Sequence, residues 1–462
     1  FHRETHGIRR IFASHQSMGT RTPTVERMNL LYANDRRGEY PKSWYAATAK
    51  PLVSCPALMG SERADVCVIG AGFTGISTAL HLAELGYSVT ILEAQRIGFG
   101  ASGRNGGQLG MGQRMDQDDL IDLLGDDAAR VLWNMALDAQ ALVKSLINKF
   151  DIDCDLTPGV ANLGHTPRLG DQIRQYADFL HQTYGASHVQ SLSVVEGCRL
   201  CDTAAYHGGF IDWNSAHLHP LKYVLGLANA AQHLGVQIFE QSLVTQIKHE
   251  PHKIQVIAEH GSVSCDHVVY ACNGYLGDLE PNLAARIMPI NNFIVATEPL
   301  DSGLDVIKQN NIAVADSKFV VNYFRKSPNN RLLFGGGENY GYQFPKDIAA
   351  TVRKPMLEIF PQLRDVKIDY AWGGTLGITI RRMPYFARPS KNSWAATGYS
   401  GHGVGTATHA GLLIAQAIHG DSTGFDAMAS VPIQRFPGGT LLRSPLLVLA
   451  MTWYELRDRF GI

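Results

Sequence analysis

One ten-residue stretch constrains what this chain can fold into more than any other part of it. Residues 66–75 read Val-Cys-Val-Ile-Gly-Ala-Gly-Phe-Thr-Gly, an apolar run followed by a G-x-G-x-x-G turn. Such a turn needs Gly70 for the tight bend, Gly72 for the close approach of a pyrophosphate, and Gly75 for close packing of a helix on a strand. The pattern predicts a buried parallel strand that leads into a phosphate-binding helix N-terminus.

The residues that follow complete a βαβ unit. Helical spacing runs over residues 73–85, Gly86 ends the helix, and residues 87–93 form a second strand with Glu93 at its tip. An acid at this position accepts hydrogen bonds from ribose hydroxyls in dinucleotide-binding folds. Strands, turn, helix and acid together indicate a nucleotide site far more strongly than the glycine pattern alone.

Two other glycine-rich stretches favour a flavin over a nicotinamide cofactor. Residues 97–108 lie just downstream of Glu93, and backbone so rich in glycine can pass close to a ligand. Residues 398–403 read Gly-Tyr-Ser-Gly-His-Gly and precede a helix predicted from about Val404 to His419. The N-terminus of that helix can place amide donors and a positive dipole at the carbonyl edge of an isoalloxazine. A nicotinamide-linked dehydrogenase, which would not need this element, is a remote alternative.

The composition excludes several other classes of protein. The 462 residues suffice for two packed domains, and 45% hydrophobic with 18% charged residues is an ordinary globular balance. A formal net charge of −1 argues against nucleic-acid binding, and no apolar stretch reaches the roughly 20 residues of a membrane span. Seven scattered cysteines indicate reduced thiols, so we expect a cytoplasmic protein in which the Cys198-x-x-Cys201 pair is structural.

The two ends of the chain carry separate expectations. Residues 1–27 begin with Phe and are rich in arginine, and we expect the native start at Met28 rather than a transit peptide. Residues 28–64 are interpreted as an aromatic-rich arm that lies extended on the surface. Residues 444–459 are hydrophobic, and we favour docking on the protein over a dimer surface or a peripheral membrane contact.

Several of these stretches resemble the D-amino-acid oxidase superfamily of flavoproteins. The similarity extends over about residues 40–460, and within the superfamily it is greatest to the bacterial gamma-glutamylputrescine oxidases and the related L-pipecolate oxidases. The stretches that carry it are residues 67–75, 92–94, 98–108, 217–221, 331–337 and 398–404. The resemblance implies FAD and the oxidation of a C–N bond.

The order of predicted elements indicates an α/β fold whose two domains interleave along the chain. We expect a Rossmann-like FAD-binding domain and an α+β substrate domain that carries an antiparallel sheet. The predicted segments are 1–39 as an N-terminal extension, 40–115, 205–290 and 390–430 as the FAD-binding domain, 116–204 and 291–389 as the substrate domain, and 431–462 as a C-terminal segment.

The resemblance also implies which residues bind FAD. Val244 would contact the adenine end through its backbone, and residues 401–404 would lie at the pyrimidine edge of the flavin. The implied set is Gly70, Ala71, Gly72, Phe73, Thr74, Gly75, Glu93, Ala94, Gly100, Ala101, Ser102, Gly106, Gly107, Gln108, Val244, Asn273, Gly274, Gly401, His402, Gly403 and Val404. Some relatives attach flavin through a cysteine in the stretch that matches residues 370–385; this chain has none there, so non-covalent FAD is expected.

The implied reaction removes a hydride from the carbon next to an unprotonated amine and gives an imine or aldehyde. O₂ or a quinone would accept the electrons, with hydrogen peroxide as the product of O₂. This chemistry needs orientation more than a dedicated base. Many amino-acid oxidases of the superfamily hold the substrate carboxylate with an arginine after a Trp-x-Gly strand end, and residues 372–377 contain no arginine.

Other side chains are therefore the candidates for catalysis or for anchoring the substrate. We nominate His402, Tyr323, Arg325 and Arg382, because a guanidinium can bind a carboxylate through two parallel hydrogen bonds. No metal site is expected, since the His217-x-His219 pair has no accompanying carboxylates and suits a helix start better.

Three functional hypotheses result. The leading one is an FAD-dependent amine oxidase that acts on gamma-glutamylputrescine or a similar amine. The alternative is an L-pipecolate oxidase or dehydrogenase, and a remote one is an FAD-binding protein without catalytic activity.

Overall fold

A computed structural model describes residues 29–437 except residues 51, 305, 309, 310 and 340. The expectations for residues 1–27 and for the hydrophobic segment 444–459 lie outside the described residues. Within the described part of the chain, no helix is long and apolar enough to cross a membrane.

The strands are, in chain order, β1 (Gly60–Arg63), β2 (Val66–Ile69), β3 (Val89–Leu92), β4 (Gln108–Leu109), β5 (Thr157–Leu163), β6 (Val189–Leu192), β7 (Gly209–His217), β8 (Gln237–Phe239), β9 (Val244–His249), β10 (Ile254–Ala258), β11 (Gly261–Cys265), β12 (His267–Tyr270), β13 (Met288–Pro299), β14 (Ala313–Asp316), β15 (Tyr323–Lys326), β16 (Arg331–Asn339), β17 (Ile368–Ile378), β18 (Tyr385–Ser390) and β19 (Ser393–Thr397). The α-helices are α1 (Trp44–Thr48), α2 (Phe73–Glu84), α3 (Gln117–Leu124), α4 (Asp126–Lys149), α5 (Pro167–Tyr184), α6 (Val194–Leu200), α7 (Pro220–His233), α8 (Pro281–Ala284), α9 (Ile348–Ile359), α10 (Gly403–His419) and α11 (Thr423–Ala429).

A sheet of six strands carries the nucleotide fingerprint. Its order is β18-β19-β12-β2-β3-β8, and neighbours are parallel except for the β18–β19 pair. Every residue of β2 and β3 is buried, which is typical of parallel strands covered on both faces. The predicted βαβ unit is therefore confirmed, and α2 packs between this sheet and helices α7 and α10. A smaller sheet, β1-β11-β10-β9, lies beside it.

A second large sheet is mostly antiparallel. Its order is β17-β13-β16-β15-β14-β5-β7-β4, with β6 paired to β7, and only the β14–β5 pair is parallel. The α/β class with an interleaved antiparallel sheet is thus confirmed. Three strands depart from the assigned segments: β4 and β7 join this sheet, where β7 pairs with β4, β5 and β6, and β18 pairs with β19 in the six-stranded sheet. Periodicity identifies a strand but does not say which sheet it joins. The domain limits otherwise remain predictions.

The expectation of an extended surface arm was wrong for residues 44–48, while residues 52–63 are mostly exposed. Residues 44–48 form α1, where the Ser43 hydroxyl accepts a hydrogen bond from the amide of Ala46. Trp44 and Tyr45 are both buried. The Tyr45 ring lies 5.2 Å from that of Trp372, so the arm packs into the core beneath β17. Two large aromatic rings gain more free energy from burial than from an exposed position.

Candidate active site

The phosphate turn has the geometry that the glycine pattern predicts. Gly70 adopts φ +106°, and a Cβ there would lie 2.8 Å from the carbonyl oxygen of Ala271. A Cβ on Gly75 would lie 1.9 Å from the carbonyl oxygen of Gly70, so only glycine lets α2 approach the turn. The amide of Phe73 donates to the Ser102 hydroxyl at 3.0 Å. The glycine-rich run at 98–108 is thereby held against the N-terminus of α2, where amide donors and dipole favour an anion.

The Glu93 carboxylate lies at the end of β3 on the same side of the sheet. It accepts hydrogen bonds from the amides of Ala71 and Gln95, each at 2.8 Å. Burial raises the pKa of Glu93 to about 7, against the opposing effect of these two amides. A carboxylate can accept about four hydrogen bonds, so lone pairs remain for hydroxyl donors in the cavity.

A single cavity of about 1100 Å³ joins the phosphate turn to the antiparallel sheet. Most of the predicted FAD-binding residues line it. They are Gly70, Gly72, Phe73, Thr74, Glu93, Ala94, Gly100, Ala101, Ser102, Gly106, Gln108, Val244, Asn273, Gly401, His402, Gly403 and Val404. The other four predicted residues do not line the cavity. The amide of Ala71 donates a hydrogen bond to Glu93, and Gly75, Gly107 and Gly274 pack against backbone atoms.

The N-terminus of α10 faces the cavity, which residues 401–404 line. His402 precedes the helix, and its side chain does not cap the helix amides. Its Nε2 lies 3.1 Å from the carbonyl oxygen of Gly112, to which a neutral ring can donate. Burial and the neighbouring Arg114 lower the pKa of His402 to about 4. The ring is therefore neutral and internally bonded, and the helix amides rather than the imidazole face a ligand here.

Tyr323 forms part of the wall that the antiparallel sheet contributes. Its hydroxyl donates to Oδ1 of Asn292 at 2.5 Å, and Nδ2 of Asn292 donates to the carbonyl oxygen of Gly337 at 3.2 Å. The ring fills the space over Gly335, where a Cβ would lie 2.0 Å from it. Tyr323 is thus a rigid lining residue, and burial raises the pKa of its hydroxyl.

Arg325 does not reach the cavity, which corrects its nomination as a substrate anchor. The side chain is buried, and its guanidinium donates to the carbonyl oxygens of Gly106 at 2.9 Å and Leu218 at 3.0 Å. It also lies 3.3 Å from the hydroxyl of Tyr45. These hydrogen bonds occupy Nε and Nη2 of Arg325, and they link the glycine-rich run to the segment before α7.

Arg382 lines the cavity, and a second arginine that sequence reasoning missed lines it too. Arg382 lies over the ring of Phe319, with 4.9 Å between its guanidinium carbon and the ring centroid. Arg114 follows the glycine-rich run and donates from Nε to the carbonyl oxygen of Ser400 at 3.2 Å. The sequence did contain a signal for Arg114, since it is a cation that follows the predicted ligand-binding run at residues 98–108 by six positions.

The segment before β15 covers another part of the cavity. The Asp316 carboxylate accepts from the backbone amides of Lys318 at 3.1 Å and Asn322 at 2.9 Å, and from Nδ2 of Asn322 at 2.8 Å. These bonds bend residues 317–322 into a loop that brings Lys318 and Phe319 to the cavity. Burial raises the pKa of Asp316 to about 6.

The remaining sequence motifs have structural roles. His219 caps α7, because its Nδ1 accepts from the amide of Lys222 at 3.2 Å, which confirms the helix-start interpretation. Nε2 of His217 lies 2.6 Å from the carbonyl oxygen of Asn311. Cys198 and Cys201 are free thiols. Among the described residues, no group of histidine, cysteine or acidic side chains could hold a metal ion.

These residues fit FAD. The turn before α2 suits a pyrophosphate, Glu93 suits a ribose, and the uncapped N-terminus of α10 suits the electron-rich edge of a flavin. The fold and the cavity together define a flavin-dependent oxidoreductase built from a nucleotide-binding sheet and a substrate-side sheet.

The chain belongs to the FAD dependent oxidoreductase (DAO) family, whose model matches residues 65–417. "Probable oxidoreductase OrdL" of Rhizobium meliloti strain 1021 is 40% identical over 418 residues, covering 90% of this chain and 97% of that protein. Gamma-glutamylputrescine oxidoreductase of Escherichia coli K12 is 40% identical over 431 residues, covering 92% of this chain and 100% of that protein. The superfamily resemblance inferred from the sequence is thereby confirmed, and the protein is an FAD-dependent oxidoreductase.

Solved structures share the fold at lower identity. Glycine oxidase from Geobacillus kaustophilus superposes with a TM-score of 0.67 at 21% identity, covering 80% of this chain and 99% of that chain. L-proline dehydrogenase from P. horikoshii gives a TM-score of 0.64 at 21% identity, covering 78% of this chain and 94% of that chain. At this level the similarity concerns the fold alone.

Proposed function

We propose that this protein is an amine oxidase that acts on gamma-glutamylputrescine or a similar amine, with non-covalent FAD and with O₂ as electron acceptor. The observation that carries the proposal is the 40% identity to the Escherichia coli gamma-glutamylputrescine oxidoreductase over the whole of that protein. The turn at Gly70 and Gly72, Glu93 and the N-terminus of α10 would hold FAD, which would supply an acceptor for the hydride on the carbon next to an unprotonated amine. Water would hydrolyse the resulting imine to an aldehyde and ammonia, and O₂ would accept two electrons and two protons to give hydrogen peroxide.

The wall that β17 contributes supports an amine over an α-amino acid. Beyond Trp372 this strand lines the cavity with Gly374, Leu376, Gly377 and Ile378, none of which carries a charge. An α-amino acid needs a cation beside the reacting carbon to hold its carboxylate. A primary amine at the end of a methylene chain needs only an apolar wall and the correct orientation.

The chain's own contribution to the reaction is position and electrostatics. The N-terminus of α10 presents backbone donors and a positive dipole where negative charge develops during reduction. Tyr323, held by Asn292, provides a rigid surface at the substrate side. His402 stays neutral and bonded to the loop at Gly112, so it shapes the helix N-terminus and removes no proton from the amine.

Anaerobic reduction of the purified holoprotein tests the proposal. We expect gamma-glutamylputrescine to bleach the flavin absorbance and L-pipecolate to leave it unchanged, with peroxide released once air is admitted. Bleaching by L-pipecolate alone would instead identify a cyclic imino-acid oxidase or dehydrogenase. A flavin that no amine or imino acid in a broad panel reduces would identify an FAD-binding protein without catalysis.

Further measurements address the cofactor bond, the acceptor and the location. Non-covalent FAD predicts that denaturation releases all flavin into the supernatant. Reoxidation by a quinone but not by O₂ would replace the oxidase proposal with a dehydrogenase. The bacterial cytoplasmic location stays a prediction, as does the docking of residues 444–459 on the protein rather than on a membrane, and fractionation of cells expressing the full chain would test both.

A further inference from the structure

The cavity contains a guanidinium group that the protein leaves without an anionic partner. Nε of Arg114 donates to the carbonyl oxygen of Ser400, and neither Nη group makes a hydrogen bond or ion pair with any described residue. The Nη groups are not enclosed by protein either, so they are open to the cavity. Arg104 shows the contrast, since its guanidinium is paired with Asp35 at 2.9 Å.

An unpaired guanidinium in this position is unfavourable without a ligand. Burial and the nearby cation of Arg382 lower the pKa of Arg114 to about 10, which shows that its charged form is destabilised. Arg382 also lines the cavity and makes no ion pair among the residues that the structure describes. Two neighbouring cations, neither of which forms a salt bridge with a described residue, favour the binding of an anion, and a carboxylate accepts two parallel hydrogen bonds from a guanidinium.

Two acidic side chains lie near Arg114. Glu338, at the end of β16, and Asp116, just before α3, both line the cavity and act on Arg114 by favouring its charged form. Neither forms a salt bridge with Arg114 among the described residues, so the arginine stays available to a ligand. Charges of both signs in one wall suit a group that itself carries a carboxylate and an ammonium.

We propose that Arg114, with Arg382 beside it, binds the carboxylate of the substrate and makes the enzyme selective for carboxylated amines over plain diamines. This inference rests on the proposed function and names the substrate class of the same site. In gamma-glutamylputrescine the carboxylate and its α-ammonium lie at the end away from the reacting amine. In plain putrescine that end would be an ammonium, which the two guanidinium groups repel, so the same residues reject the diamine.

Three amides of putrescine test the inference in the holoenzyme. Gamma-glutamylputrescine carries carboxylate and α-ammonium, glutarylputrescine carries the carboxylate alone, and butyrylputrescine carries neither. In Arg114→Met we expect kcat/KM for gamma-glutamylputrescine and glutarylputrescine to fall by about 100-fold, because a charge-assisted contact is lost. A 100-fold fall corresponds to roughly 2.7 kcal/mol of transition-state free energy. The value for butyrylputrescine should change by less than about 3-fold, because the lost contact is absent from that substrate. Arg114→Lys should restore part of the difference, since it keeps the charge without the planar fork.

A binding measurement and a matched control complete the design. Glutarate is a non-reactive carboxylate, and we expect it to perturb the flavin spectrum of the wild type at concentrations that leave Arg114→Met unchanged. Arg199→Met removes an exposed arginine in the last turn of α6 that does not line the cavity, and should alter none of these values.

Two results would overturn the inference. One is an equal loss for all three amides in Arg114→Met, which would mean that the arginine acts on the flavin or the fold. The other is unchanged glutarate binding in that variant. A wild-type flavin that none of the putrescine amides reduces would instead refute the proposed function, and the glutarate titration would still decide whether Arg114 binds carboxylates.

Discussion

The ionisation of Glu93 should control how tightly the apoprotein binds FAD. Its carboxylate accepts amide hydrogen bonds from Ala71 and Gln95 and faces the cavity. Burial raises its pKa from 4.5 to about 7 in the ligand-free protein. At about 1.36 kcal/mol per pKa unit, this rise means that the folded apoprotein favours the protonated over the ionised carboxyl by roughly 3 kcal/mol more than the unfolded chain does.

The sign of the effect follows from proton linkage. Because the folded apoprotein binds the Glu93 proton more tightly than the unfolded chain, this group makes the apoprotein less stable as pH rises from about 4.5 to about 7. Ribose hydroxyls donate to the ionised form, so FAD binding should release the proton. The dissociation constant should therefore be nearly constant above about pH 7 and rise about tenfold for each pH unit below it.

Reconstitution of the apoprotein with FAD, followed by flavin fluorescence between about pH 6 and pH 8, measures this dependence. Glu93→Gln should bind FAD about 10- to 100-fold more weakly at the upper end of the range, as expected for loss of a charged hydrogen bond, and should lose the pH dependence. The control Glu84→Gln changes an α2 carboxylate that pairs with Lys149 at 2.5 Å outside the cavity, and should keep the wild-type curve. A Glu93→Gln curve with the wild-type slope would refute the assignment of this proton to Glu93.

Three further substitutions separate structural from ligand-binding roles. Gly75→Ala places a Cβ 1.9 Å from the carbonyl oxygen of Gly70, and we expect purified protein without flavin absorbance and with a lower Tm. Arg325→Met leaves two buried carbonyl oxygens without donors and should lower the free energy of unfolding by roughly 2–5 kcal/mol in denaturant titration, while the KM ratio between carboxylated and uncarboxylated amines stays the same. Asp316→Asn replaces an acceptor of three N–H groups in the loop at 317–322, and steady-state assays should show KM raised by about tenfold with unchanged FAD content.

The parts of the fold that local chemistry determines could be predicted from the sequence. Gly75 must be glycine because a Cβ there would meet the carbonyl oxygen of Gly70, five residues earlier, and Gly70 itself adopts a positive φ; both requirements belong to the turn pattern seen in the sequence. The same holds for α10, whose start follows the glycine-rich turn at 398–403. The helix cap at His219 is also a local feature.

The features that sequence reasoning missed depend on partners far away in the chain. The aromatic pair at residues 44–45 is buried because Trp372, more than three hundred residues later, offers it a surface. Arg114 reaches the cavity because it bonds to Ser400, and no spacing rule connects the two positions. The strand β7 joined the substrate-side sheet through pairing with β5 and β6, which its alternation alone does not specify.

The arginines show why residue type alone could not identify the substrate anchor. Arg325 was nominated because a guanidinium can bind a carboxylate, yet its Nε and Nη2 donate to carbonyl oxygens of the protein. Arg114 has the same side chain and leaves its Nη donors open to the cavity. A guanidinium has five N–H donors in a fixed geometry, so a ligand must supply hydrogen-bond acceptors for the donors that the protein does not use. At this site that requirement is a planar anion, which a carboxylated amine can meet and a diamine cannot.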